Sequence, residues 1–94
     1  MRNIKFIMNI LPVVKIKIIA QRGRIFRTVY AWKRSKVRDV LNRYFDVSKY
    51  QIIEIDKYKN PAGRLKTLCL DMTIEDAGVE NGDIIIAQNK MYNM

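Results

Sequence analysis

Residues 72–87 of this 94-residue chain read MTIEDAGVENGDIIIA, and this stretch decides more of the predicted fold than any other. Thr73 is a residue type that caps the start of a helix, and Glu75 and Asp76 follow it where negative charge is favoured in a first turn. Gly78 can take the left-handed conformation that ends such a turn. The first half of the stretch therefore predicts one short helical turn.

The second half of the same stretch predicts a tight turn and a closing strand. Asn81-Gly82 is a strong turn dipeptide. The β-branched run at residues 84–86 is typical of a buried strand.

The first strand of the chain is predicted at residues 13–21, where apolar side chains alternate with Lys15 and Lys17. Such alternation is typical of a strand with one buried face, here with a basic outer face. The side chains expected in the core are Val14, Ile16, Ile18 and Ala20.

A second strand at residues 25–30 returns after a turn at 21–24, and the alternation alone leaves its facing ambiguous. Burying Arg27 would be costly, so we place Arg27 outward with its strand-mates Ile25 and Val29. The side chains that then face inward are Phe26, Thr28 and Tyr30.

An amphipathic helix is predicted at residues 36–45, with Ser35 as its N-cap and apolar residues at helical spacing. A third strand follows at 50–56, with Ile53 and Ile55 inward. A short fourth strand at 65–70 brings Leu68 and Leu70 to the core, after a turn at 60–63.

The net charge of +9 is unevenly distributed along the chain. Residues 1–38 hold eleven Lys or Arg and no acid, whereas residues 67–89 hold five acids and no base. This asymmetry favours an acidic partner, nucleic acid or an anionic surface, and a merely solvated lysine-rich surface is the alternative.

The residue types present argue against catalysis. The chain has no histidine, its four glycines form no phosphate-binding loop, and Cys69 is its only cysteine. We expect Cys69 to be a small buried side chain. We also expect no metal, no cofactor and no small-molecule substrate, so a binding role is the default and an enzyme is disfavoured.

The sequence predicts three parts of the chain: a leader or extra edge strand at 1–12, one domain at 13–90 and a frayed tail at 91–94. The apolar run near the start is interrupted by Asn9 and Pro12 and is shorter than the roughly 18 apolar residues of a membrane span. We therefore expect a cytoplasmic protein without a membrane span.

The order strand, strand, helix, strand, short strand, helical turn, strand resembles the ubiquitin-like β-grasp over residues 13–88. The series Ile74, Val79, Ile85 supports the resemblance. It implies an α+β fold, with a mixed four- to five-stranded sheet packed on one main helix plus a short helical turn. Residues 74–83 look most like the YukD family of small ubiquitin-like proteins from type VII (WXG100) secretion systems. Ubiquitin-like tags end in Gly-Gly and this chain ends in Asn93-Met94, so conjugation is not expected.

Ubiquitin-like domains commonly bind through the open face of the sheet. The resemblance therefore implies a protein-binding adaptor, such as one in a secretion or other multiprotein apparatus. The partner would carry an acidic or apolar patch. The residues expected to bind it are Lys15, Lys17, Arg27, Ile52, Glu54 and Ile86.

A small basic nucleic-acid-binding domain is the alternative, because stackable aromatic residues are interleaved with bases between residues 22 and 38. We place it second, since Phe26 and Tyr30 are expected in the core and no RNA-recognition or helix-turn-helix signature is present. The basic residues of this alternative are Arg22, Arg24, Lys33, Arg34, Lys36 and Arg38.

Overall fold

A computed structural model describes residues 12–20, 25–59 and 65–89 of the chain. The leader expected before Pro12, the turns at 21–24 and 60–63, and the tail at 91–94 lie outside these residues, as do Arg22 and Arg24.

The described elements follow the predicted order. They are β1 (Val13–Ala20), β2 (Ile25–Trp32), α1 (Val37–Asn42), a 3₁₀ turn (Val47–Lys49), β3 (Ile52–Asp56), β4 (Lys66–Thr67) and β5 (Ile84–Gln88). The five strands form one mixed sheet in the order β2-β1-β5-β3-β4. β1 and β5 run parallel at its centre, and the other neighbours are antiparallel. The predicted α+β sheet-and-helix architecture is confirmed.

One face of the sheet packs against α1 and the 73–79 turn, and the core lies between them. The predicted alternation of β1 and β3 is confirmed, with each expected inward residue buried. Each fully buried aliphatic side chain contributes about 1.5–3 kcal/mol. The largest aliphatic side chains that are fully buried are Ile16, Ile18, Val37, Leu41, Ile74 and Ile85.

The predicted facing of β2 is wrong. Val29 and Ala31 are buried and Ile25 packs on the core, whereas Phe26 and Tyr30 are exposed. The error came from assuming that an inward Arg27 would be buried. Because β2 lies at the sheet edge, Arg27 follows the inner face and still reaches solvent, with its guanidinium carbon 5.9 Å from the centroid of the Tyr44 ring.

The helix is shorter than predicted, and Ser35 is not its N-cap. That position belongs to Lys36, which makes no side-chain capping bond. The first free N–H groups of the helix are instead satisfied by the 70–72 segment: Val37 N donates to the Met72 carbonyl and Arg38 N to the Leu70 carbonyl, both at 2.9 Å. Backbone from a distant part of the chain therefore replaces a local cap.

The stretch at residues 72–87 folds as predicted. Thr73 Oγ1 accepts a hydrogen bond from Asp76 N at 3.0 Å, and Gly78 has a φ of 77° at the end of the turn. Gly82 also has a positive φ, 89°, before β5 begins.

The fourth strand is shorter than predicted, since only Lys66 and Thr67 pair with β3. Leu68 is buried and Leu70 is partly buried against the core. The expectation of a buried Cys69 is wrong: its side chain is exposed, because the neighbouring Leu68 takes the inward position of this extended segment.

Candidate functional site

The sheet surface opposite α1 has no described element packed over it, and we call it the open face. The strand register places its side chains in rows that cross the sheet. Its members are Phe26, Thr28, Tyr30 and Trp32 on β2, Val13, Lys15, Lys17 and Ile19 on β1, Ile84, Ile86 and Gln88 on β5, Ile52, Glu54 and Asp56 on β3, and Thr67 on β4.

The middle of the open face is apolar. We call its half-buried isoleucines, Ile19, Ile52, Ile84 and Ile86, the isoleucine patch. Ile86 lies between Ile19 of β1 and Glu54 of β3 in the same cross-strand row. Glu54 accepts a hydrogen bond from Gln88 Nε2 at 3.0 Å, which fixes a carboxylate beside the patch.

The β1–β2 side of the open face is aromatic and basic. We call Phe26, Tyr30, Trp32, Lys15 and Lys17, together with Tyr58 from the segment after β3, the aromatic–lysine surface. Phe26, Tyr30 and Trp32 are 66%, 65% and 54% exposed. Lys15 lies opposite Tyr30 across the two strands, and Lys17 Nζ lies 6.0 Å from the centroid of the Phe26 ring.

A groove of about 580 Å³ opens within this surface between Tyr30 and Tyr58. Lys15, Lys17 and Ile84 contribute to its lining. Tyr58 is held in place although its side chain is 71% exposed. Its backbone N donates to Asp83 Oδ1 at 2.9 Å, and its ring packs so closely on Gly82 that a Cβ there would lie 3.0 Å from Tyr58 Cγ.

Beneath the groove, a buried carboxylate organises the segment before β5. Asp83 is 1% exposed and accepts hydrogen bonds from Tyr58 N, from Glu80 N at 2.8 Å and from Lys57 Nζ at 2.5 Å. Lys57 also forms an ion pair with Glu80 at 3.0 Å and donates to the Gly78 carbonyl.

The pKa of Lys57 reflects two opposing effects. Partial burial alone would lower it, but the hydrogen bonds and negative charges of Asp83 and Glu80 outweigh burial and raise the pKa above its ordinary value of 10.5. Lys57 is therefore held as a cation that ties β3 to the turn before β5.

Five of the six residues predicted to bind a protein lie together on the open face: Lys15, Lys17, Ile52, Glu54 and Ile86. Arg27 does not. It lies opposite the buried Ile18 in the register, so it belongs to the helix side of the sheet.

Four of the six residues of the nucleic-acid alternative lie within the described residues. Lys33, Arg34, Lys36 and Arg38 are in the connector after β2 and at the start of α1. Arg38 forms an exposed ion pair with Asp71 at 3.0 Å.

Phe26 and Tyr30 were missed as site residues because the predicted facing of β2 put them in the core, and Trp32 was missed because the predicted strand ended at residue 30. The alternation over a longer strand predicts that they are exposed. Extending β2 to Trp32 gives the inward series Ile25, Arg27, Val29, Ala31, which contains three apolar residues and sends the large rings outward.

In the described part of the chain, no group of three or more His, Cys, Asp or Glu residues is arranged to hold a metal ion. The helices of that part are all too short or too polar to cross a membrane.

No protein-family model and no curated protein matches this chain. Solved structures do match. One is the C-terminal ubiquitin-like domain of mouse tubulin-specific chaperone e, with 22% identity over 87% of this chain and 91% of that domain, and a TM-score of 0.63. Another is a ubiquitin-like domain from tubulin-binding cofactor B, with 17% identity over 82% of this chain and 89% of that domain, and a TM-score of 0.62.

A third match is to a chain of protomer 1 of the ESX-3 core complex. It has 20% identity and a TM-score of 0.52. The match covers 88% of this chain but only 17% of the ESX-3 chain. At these identities the matches show a shared fold.

Proposed function

From the ubiquitin-like β-grasp fold of this chain, we propose that it is a protein-binding adaptor that docks its partner on the open face of the sheet. The observation that carries the proposal is the isoleucine patch, half-buried apolar side chains grouped at the centre of an uncovered sheet face. Apolar centres with polar rims are typical of protein interfaces.

The charged residues around the isoleucine patch indicate which surface a partner would need. Lys15 and Lys17 border it on the β1 side, and Glu54 and Asp56 border it on the β3 side. A partner with an apolar centre and an acidic edge over the lysines would be complementary to this arrangement. No step of this function requires catalysis or a cofactor.

A place in a multiprotein apparatus is part of the same proposal. It is supported by the resemblance of residues 74–83 to the YukD family of type VII secretion systems, and by the fold shared with a chain of the ESX-3 core complex. The partner would then be a subunit of such an assembly.

The test compares three versions of the chain as bait in a lysate of the native host. The double variant Ile52→Thr with Ile86→Thr removes apolar surface while keeping β-branched residues in both strands. Met72→Thr, at a 46% exposed position outside the sheet, is the matched control. A partner retained by the wild type and by the control is then purified for calorimetry.

We expect the double variant to raise the partner's Kd by about tenfold or more, as for central interface residues. Equal Kd values for the double variant and the wild type would refute docking on the isoleucine patch.

A further inference from the structure

The aromatic–lysine surface carries exposed rings that a protein-docking role for the isoleucine patch does not use. Phe26, Tyr30 and Trp32 are all more than half exposed, although large aromatic side chains are normally buried on folding. They stand on one face of one strand. We infer that this surface is a binding site for single-stranded nucleic acid.

The spacing of the rings suits a chain of unpaired bases. Tyr30 and Trp32 are two residues apart on β2, which places their positions about 7 Å apart along the strand. Phe26 continues the same line in the other direction. Bases that are not paired offer their faces to such rings, and stacking is tolerant of sequence. Paired bases in a duplex offer no such faces.

The groove adds a position where a base can be held from two sides. Tyr30 and Tyr58 both line it, and the contact of Tyr58 with Gly82 fixes one wall. Lys15 and Lys17 lie on the same strand within that lining, where their ammonium groups can meet the phosphates that join successive nucleotides.

The charge around this surface favours a polyanion. Its two charged members, Lys15 and Lys17, are both cations, and Lys33 and Arg34 follow Trp32 directly in the chain. The carboxylates of the open face, Glu54 and Asp56, lie on β3, which is separated from β2 by both β1 and β5. This site differs from the basic residues at 22–24 and 33–38 that the sequence indicated, because it is centred on exposed rings, of which Phe26 and Tyr30 were expected in the core.

The experiment titrates the full chain into fluorescently labelled oligo(U), oligo(dT) and a duplex DNA of equal length, at low and at physiological salt. We expect at least one of the two single strands to bind with a Kd of about 1 μM at physiological salt and more tightly than the duplex. Preference between oligo(U) and oligo(dT) distinguishes RNA from DNA as the ligand.

Substitutions then separate stacking from general charge attraction. Tyr30→Ala and Trp32→Ala should each raise the Kd roughly 5- to 100-fold without changing the melting temperature, because both side chains are exposed. Lys15→Gln and Lys17→Gln should each lower the slope of log affinity against log salt by about 0.7. Lys49→Gln, at an exposed position in the 3₁₀ turn, is the matched control for loss of one charge.

The inference is overturned by any of three results: no binding of either single strand at physiological salt, equal affinity for the duplex, or aromatic variants that bind like the wild type. If neither single strand binds, the exposed rings would instead be assigned to a protein partner. The isoleucine-patch variants test the adaptor function separately, since they leave Tyr30, Trp32 and both lysines in place.

Discussion

Lys57 Nζ lies 2.5 Å from Asp83 Oδ2, in an ion pair whose carboxylate is almost completely buried and whose ammonium side chain is 22% exposed. The two residues are 26 positions apart in the chain. Their contact joins the end of β3 to the start of β5 and also positions Tyr58 at the edge of the groove.

Replacing Asp83 should be strongly destabilising. Asp83→Ala leaves the N–H groups of Tyr58 and Glu80 without their acceptor and removes one of the acceptors of Lys57, and each buried group left unsatisfied costs about 1–3 kcal/mol. Urea unfolding measures the loss. Asp71→Ala, which removes the exposed ion pair with Arg38, is the matched control and should cost less than about 1 kcal/mol. Equal losses in the two variants would contradict the assigned role of Asp83.

The same ion pair should make stability depend on alkaline pH. The folded pKa of Lys57 is raised, so its contribution is fully present below the ordinary value of 10.5 and is lost as pH rises through the higher folded value. Lys57→Met should therefore be less stable than the wild type at neutral pH, and the difference should shrink above about pH 10.5. Urea midpoints of both proteins across this range provide the measurement. A constant difference would show that the charge of Lys57 is not involved.

Stability should depend on the capping side chain of Thr73 but not on the side chain of Ser35. Thr73→Ala removes the acceptor of Asp76 N and should cost about 1 kcal/mol. Ser35→Ala should change the free energy of unfolding by less than about 0.5 kcal/mol, because the N-cap position of α1 is Lys36 and the helix start is bonded by backbone carbonyls. Thermal melts of the two variants provide the measurement. A larger loss of stability for Ser35→Ala than for Thr73→Ala would show that Ser35 caps α1.

The core should not tolerate truncation of Leu41 on α1 or of Ile85 on β5. Leu41 and Ile85 are both 0% exposed, and replacing either by Ala should cost about 2–5 kcal/mol through lost burial and the cavity left behind. Leu65→Ala, at a 42% exposed position, is the control for removing an aliphatic side chain. Chemical denaturation measures the free energy of unfolding of the three variants. A loss for Leu65→Ala as large as the losses for the other two would argue against this core.

The order of elements could be predicted from the sequence because each signal for it is local. The alternation around Lys15 and Lys17, the cap at Thr73 and the left-handed Gly78 depend on residues only a few positions apart. Together with the apolar series at Ile53 and Ile55 and the helical spacing at residues 36–45, they predicted the sheet, the helix and the closing turn. The binding face was implied by the resemblance to ubiquitin-like domains, and five of its six candidate residues lie on one face.

Contacts between distant residues decided the rest. The facing of β2 depended on its place at the sheet edge, where Arg27 can lie over Tyr44 without being buried. The start of α1 depended on carbonyls of Leu70 and Met72, and the Lys57–Asp83 pair joins two strands that meet only in the folded sheet. Turns and strand alternation could therefore be predicted from short stretches of the chain, whereas the side chains that face solvent follow from the packing of the folded sheet, because burial depends on what packs against each face.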